Sequence, residues 1–174
     1  LNLNASPFHI NKRQQRIDIV AEQARAAQCP VVYVNLIGGQ DELVFDGGSF
    51  VVDATGKLCQ VAQSFEEELC LVEFQEKNGV WGPKPRRIDK EQPPIESIYR
   101  ALVLGARDYI QKNGFSGAII GLSGGIDSAL TLAIAVDAVG SDNVEAVMMP
   151  SRYTSELSLQ DAEKEADSLA VHFH

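Results

Sequence analysis

Gly121-Leu122-Ser123-Gly124-Gly125-Ile126-Asp127-Ser128 decides the fold of the second half of this sequence, because it joins a β-branched run at residues 117–122 to a nearly all-apolar run at residues 129–139. The first run reads as a strand and the second as a buried helix. A further strand at residues 144–149 completes a βαβ unit, so the two strands should be parallel with a right-handed crossover. Adjacent glycines let backbone N–H groups converge without Cβ clashes, and the helix N-terminus behind them adds unpaired donors and the positive end of a dipole. Such a loop cradles an anion. Ser123 and Ser128 offer hydroxyl donors to phosphate oxygens, whereas the Asp127 carboxylate would repel a bare phosphate and fits best with a Mg²⁺ ion between the two. No lysine precedes Ser128, so this is not a Walker A loop, and the glycine spacing is not GxGxxG. A turn that merely caps a buried helix would not need serine, double glycine and aspartate together.

Working outward, Ile95, Ile98, Tyr99, Leu102, Val103, Ala106, Tyr109 and Ile110 keep helical spacing, with Asn113-Gly114 as the stop. Beyond the second strand a helix is expected at residues 159–169, with Ser158 as its cap and Asp161 in the capping-box position. Between residues 76 and 93 the composition shifts to Lys, Gly, Pro and Arg without apolar periodicity, which reads as a linker. Before it, Ile17, Val20, Ala21 and Ala24 mark an amphipathic helix over residues 12–27 that Pro30 ends. VVYVNL at residues 31–36 then reads as a strand covered on both faces. Short strands are expected at residues 43–45, 49–53, 58–62 and 69–74. The fold class is α/β in both halves.

The 174 residues are 45% hydrophobic and 22% charged, the composition of an ordinary soluble globular protein, with no apolar run of the roughly 18 residues that a membrane span needs. A formal net charge of −9, with no basic run longer than Arg86-Arg87, argues against nucleic-acid binding. Cys29, Cys59 and Cys70 have neither metal-site spacing nor a disulfide pattern, which suits a reducing cytoplasm, and each reads as a structural, commonly buried thiol. His9, His172 and His174 are dispersed and receive no metal or general-base role, and Glu66-Glu67-Glu68 reads as a solvated run. The opening LNLNASPFHI lacks Met and looks like mid-domain sequence.

The serine–glycine loop resembles the pyrophosphate loop of the ATP-pyrophosphatase (adenine nucleotide α-hydrolase) superfamily, whose members transfer AMP to a carbonyl-type oxygen. The resemblance implies ATP contacts from Gly121, Leu122, Ser123, Gly124, Gly125, Ile126, Asp127 and Ser128, with Asp127 as ligand to Mg²⁺. Met148-Met149-Pro150-Ser151-Arg152-Tyr153-Thr154-Ser155 leaves the carboxyl end of the second strand and looks like the corresponding segment of NAD⁺ synthetases. Arg152 reads equally as a phosphate or ribose contact and as a solvated loop residue, and stays outside the site set. In the first half, Asn4-Ala5-Ser6-Pro7-Phe8-His9, Tyr33-Val34-Asn35 and residues 38–49 are similar to the C-terminal part of nitrilase-superfamily glutaminase domains. By that resemblance Ser6 and Lys12 contact glutamine, while the Glu-Lys-Cys triad of the glutaminase is expected upstream, which leaves no catalytic residue of that triad in these residues.

The resemblance therefore implies a glutamine-dependent NAD⁺ synthetase segment: the C-terminal part of a nitrilase-like α/β sandwich at residues 1–75, a linker at 76–93, and the start of a doubly wound parallel-sheet ATP-pyrophosphatase domain at 94–174. ATP as substrate, Mg²⁺, deamido-NAD⁺ and glutamine or ammonia come with it, as do a cytoplasmic homo-oligomer and no nucleic-acid or membrane partner. GMP synthetase, asparagine synthetase and tRNA-modifying ligases share the loop but draw ammonia or sulfur from other partner domains. A third possibility is a segment that binds ATP or serves as an assembly surface without completing either reaction.

Overall fold

In the computed structural model, which describes residues 1–77 and 79–174, the chain forms two units, Leu1–Gly38 with Glu42–Ala101, and Gly39–Asp41 with Leu102–His174. The first contains β1 (Asn2–Asn4), α1 (Lys12–Ala27), β2 (Val31–Asn35), β4 (Leu43–Asp46), β5 (Phe50–Val52) and β6 (Leu58–Val61). Ile37–Gln40 forms β3, which with β4 makes a two-stranded ribbon. The main sheet has the order β1-β2-β5-β6, with β2 parallel to β1 and antiparallel to β5.

Period-2 alternation sorts this sheet into two faces. Tyr33 pairs with Phe50, their rings stack at 4.7 Å, and with Val52 and Val61 they pack against Val20 and Ala24 of α1. The helix stops as its sequence suggests. Gln28 takes a left-handed φ of 50°, its N–H reaches Arg25 O, the N–H of Cys29 reaches Ala24 O, and Pro30 follows. On the other face Val32, Val34 and Val51 line an open, mostly apolar hollow of about 550 Å³. Val34 is 37% exposed, so among the described residues β2 is covered on one face only, not on the expected two.

One other expectation needs correction. Residues 69–73 form no strand, and Leu69 and Leu71 are exposed. A strand needs a ladder partner, and the free edge of β6 is already taken. Arg86 donates its N–H to Cys59 O, Val61 to Arg87 O and Asp89 to Val61 O, and Val61 bridges Ile88 in parallel. Residues 86–89, within the stretch read as a linker, thus pair with the sheet. That stretch also begins inside a hairpin, β7 (Phe74–Lys77) with β8 (Val80–Pro83), paired antiparallel from Phe74↔Pro83 to Lys77↔Val80. Asn78, within the expected linker, lies outside the described residues.

Helix α2 (Pro94–Lys112) opens with proline, whose fixed φ and missing N–H suit a first helical turn. It closes at Gly114, where φ is 72° and the N–H groups of Gly114 and Phe115 reach Gln111 O and Ile110 O. The second unit then runs β9 (Ala118–Gly121), α3 (Ile126–Val139), a short 3₁₀ turn at Ser141–Asn143, β10 (Val144–Val147), α4 (Glu156–Ser168) and β11 (His172–Phe173). Its sheet is parallel throughout, in the order β11-β10-β9. Leu132 and Ala135 of α3 and Ala162 and Ala166 of α4 share one core with Leu122, Val144, Ala146 and Val171. Four alanines at these contacts let helix and sheet backbones approach closely.

Helix α4 begins three residues earlier than expected. Ser155 is its cap, accepting a hydrogen bond from the Ser158 N–H at 3.1 Å, and Ser158 lies inside the first turn. Two serines three apart can each serve as the cap. The hydroxyl contact between them, at 2.9 Å, reinforces the earlier start.

Candidate functional site

In the first unit, Ser6 follows β1 and is held from all sides. Its N–H donates to Asn35 Oδ1 at 2.8 Å, and its carbonyl accepts from Asn35 Nδ2 at 3.2 Å, so a side-chain amide stands in for a strand partner. Its hydroxyl accepts from Arg16 Nε at 3.0 Å. Arg16 and Asp46 are buried together, with Nη1 2.8 and 3.0 Å from the two carboxylate oxygens. Lys12, the first residue of α1, lines a small cleft of about 40 Å³ with Phe8, His9, Asp46, Ser64 and Gln92. Ser6 does not line that cleft. Asp46 connects the two expected contacts, since it faces the Lys12 cleft and also braces the arginine that holds Ser6. A buried, unpartnered oxygen, Gln92 Oε1, belongs to a residue of the same cleft.

Arg16, Asn35 and Asp46 were not singled out by sequence. One signal existed: Arg16, Val20 and Ala24 fall four residues apart on the buried stripe of α1, where a charged residue must find a partner.

The cysteines do not form an alternative centre. Burial, then the nearby Asp53 charge, pushes the Cys59 thiol up, and burial followed by the hydrogen bond with Glu68 does the same for Cys70. An activated nucleophile needs the opposite shift. Cys29 is exposed rather than buried.

In the second unit, residues 121–128 turn from the carboxyl end of β9 into α3. Gly124 has a φ of 77°, and a Cβ there would collide with the main chain of Ser158 in α4, so only glycine fits. Gly125 caps α3, whose first-turn N–H groups have no acceptor four residues back. The serines lock the loop from within. Ser128 Oγ donates to Gly125 O at 2.9 Å and accepts from Ser123 N at 3.1 Å, while the two hydroxyls lie 3.0 Å apart. Leu122 is a core residue whose N–H donates to Val147 O, so it fixes the loop rather than offering a donor. Ser123, Gly125, Ile126 and Asp127 are exposed.

Leu122 also ties this loop to the carboxyl end of β10, where open parallel sheets place their ligands. From there the chain continues through residues 148–155, in which the Arg152 guanidinium stacks on the Tyr153 ring at 4.8 Å. Among the described residues no group of three or more His, Cys, Asp or Glu side chains converges on a metal site. Asp127, the one carboxylate of the loop, is exposed in the first turn of α3.

Comparison with known proteins places both halves. The carbon-nitrogen hydrolase family model matches residues 3–81, and the NAD synthase family model matches residues 98–174. The class is thus a chain that joins a carbon-nitrogen hydrolase segment to an NAD synthase segment. More particularly, it is similar over almost its whole length to glutamine-dependent NAD⁺ synthetases. It is 47% identical to the Acinetobacter baylyi glutamine-dependent NAD⁺ synthetase over 99% of this chain and 32% of that protein. The Xylella fastidiosa (strain Temecula1) protein of the same description is 46% identical over 97% of this chain and 31% of its own length. The solved structure of the Acinetobacter baumannii glutamine-dependent NAD⁺ synthetase in complex with ADP superposes with a TM-score of 0.92 at 44% identity, covering 99% of this chain and 33% of that one. The chain spans about a third of the length of these relatives.

Proposed function

We propose that this chain is part of an enzyme that amidates deamido-NAD⁺ to NAD⁺ with ammonia drawn from glutamine. The observation that carries the proposal is the succession, in one chain, of a carbon-nitrogen hydrolase segment and an NAD synthase segment whose glycine loop lies at the carboxyl ends of two parallel strands. The first segment belongs to the half that releases ammonia, and the second to the half that activates its acceptor. ATP transfers AMP to the nicotinate carboxylate of deamido-NAD⁺ with departure of pyrophosphate, and ammonia then displaces AMP. The protein's share of this chemistry is positioning and charge stabilisation at the phosphates.

In this reading the pyrophosphate rests on residues 121–128. Gly124 and Ile126 supply backbone N–H groups, and Gly121, Leu122, Ser123, Gly125 and Ser128 hold the loop in shape. Asp127 would hold Mg²⁺, which would supply charge neutralisation at the phosphates. The ADP bound in the Acinetobacter baumannii relative supports the assignment of an adenine nucleotide. Ser6 and Lys12 contact glutamine, where a hydroxyl and an ammonium suit the carboxylate end of an amino acid. We place the boundary between the two parts after residue 75, with 76–93 as the connection and the synthetase part starting at 94. The setting is the cytoplasm and the assembly a homo-oligomer.

The test compares nitrogen donors in the full-length protein. Ser6→Ala and Lys12→Ala should lower glutamine-driven NAD⁺ formation by about tenfold or more, the scale of one charge-assisted hydrogen bond, and leave synthesis from added ammonia near the wild-type rate. Equal losses with both donors would remove the glutamine assignment. Asp127→Asn should instead lose activity with both donors, because adenylation precedes the use of either.

A further inference from the structure

We propose that Arg16, neutralised by Asp46, is the positioning residue that presents the Ser6 hydroxyl to glutamine as a hydrogen-bond donor. This rests on the assignment of Ser6 to the glutamine site. A guanidinium has five N–H donors, and Arg16 makes five hydrogen bonds. They run from Nε to Ser6 Oγ (3.0 Å), from Nη1 to Asp46 Oδ1 and Oδ2 (2.8 and 3.0 Å), and from Nη2 to Ser6 O and Pro7 O (3.0 and 2.8 Å). Arg16 is 6% exposed, and so is the Asp46 side chain, so its donors serve protein acceptors.

The consequence falls on the Ser6 hydroxyl. A serine oxygen has one proton to donate and two lone pairs to accept with. Nε occupies a lone pair, and the positive guanidinium turns the hydroxyl proton away from itself. The Ser6 main chain is held as well, because Asn35 and Arg16 bind its N–H and its carbonyl. What remains is a donor of fixed direction, which matches a carboxylate or amide oxygen of the amino acid. Asp46 makes the arrangement compatible with a second cation, since it cancels the Arg16 charge and leaves Lys12, at the cleft that Asp46 also lines, as the ammonium that meets the substrate carboxylate.

The experiment uses the full-length protein and three variants: Arg16→Met with Asp46→Leu, Arg16→Lys, and Ser6→Ala. The double change removes both charges together, avoiding the penalty of one buried unpaired ion. Arg16→Lys keeps the charge without the planar fork that serves four acceptor groups at once. Thermal midpoint, glutamine KM and kcat, and ammonia-driven synthesis are read for each. The expected result is a folded double variant with glutamine KM raised about tenfold, ammonia-driven synthesis unchanged, and no additional rise on adding Ser6→Ala. Arg16→Lys should raise KM by a smaller factor, and it decides the matter if the double variant does not fold. Wild-type glutamine KM in a folded Arg16 variant, alongside a raised KM in Ser6→Ala, overturns the positioning role and leaves the glutamine site standing. Wild-type KM in Ser6→Ala overturns both.

Discussion

Gly124 carries the sharpest constraint on a single residue. Its positive φ and the Ser158 main chain behind it leave no room for a side chain, and the path of residues 123–127 depends on that close approach. Gly124→Ala should cost about 1–3 kcal/mol from backbone strain and contact, and it should lower synthesis with glutamine and with ammonia alike. Thermal melts with paired donor assays check this, and full activity with both donors would show that the loop tolerates a displaced α4. The cysteines make a second prediction. Cys29 is exposed, whereas the Cys59 and Cys70 thiols are shifted upward by burial, so alkylation near pH 8 followed by mass mapping should label Cys29 first. At this scale the loop was legible because its chemistry lies in consecutive residues. Arg16, Asn35 and Asp46 were not, since their meaning comes from neighbours 10 to 30 positions away.

Among elements, helices read well and edges poorly. The limits of α1 and α2 follow from Pro30 and from Asn113-Gly114, whereas the end of the sheet depends on which segment reaches β6 first, a competition invisible in local patterning. The α2 segment of the second unit also grips Gly39. Asp108 accepts the Gly39 N–H at 2.8 Å, and Lys112 Nζ donates to Gly39 O at 2.6 Å and lies 3.2 Å from Asp108. Gly39 packs so closely on Gly105 that a Cβ would stand 3.1 Å from its Cα. Burial pulls the Asp108 carboxyl upward, but the Gly39 hydrogen bond with Lys112 and Arg107 outweighs it and holds the carboxyl below its usual value. A depressed folded-state value means that this stabilisation is complete above the ordinary carboxylate range and is lost as the pH falls through and below it. Melting curves from pH 7 to pH 3 should thus show a steeper acid loss in the wild type than in Asp108→Asn, which should itself be less stable by about 1–3 kcal/mol at pH 7. Parallel acid profiles would assign the grip to packing at Gly39 and Gly105 alone.

For the whole molecule, the sequence motifs located both family segments, and their order excluded the other users of a pyrophosphate loop, because those draw nitrogen or sulfur from other partner domains. Less of the architecture was legible. The uncovered face of the first sheet and the pairing of residues 86–89 with β6 both arise from long-range contacts. No described helix is long and apolar enough to cross a membrane. In the proposed reaction the glycine loop directs cleavage of ATP between the α- and β-phosphates for an amidation fed by the first segment. The most direct measurement is product stoichiometry in the full-length protein supplied with deamido-NAD⁺, ATP, Mg²⁺ and glutamine. The account predicts NAD⁺, AMP and pyrophosphate in equal amounts, and the same three products when ammonia replaces glutamine. ADP and inorganic phosphate in place of AMP and pyrophosphate, or AMP and pyrophosphate without NAD⁺, would contradict it.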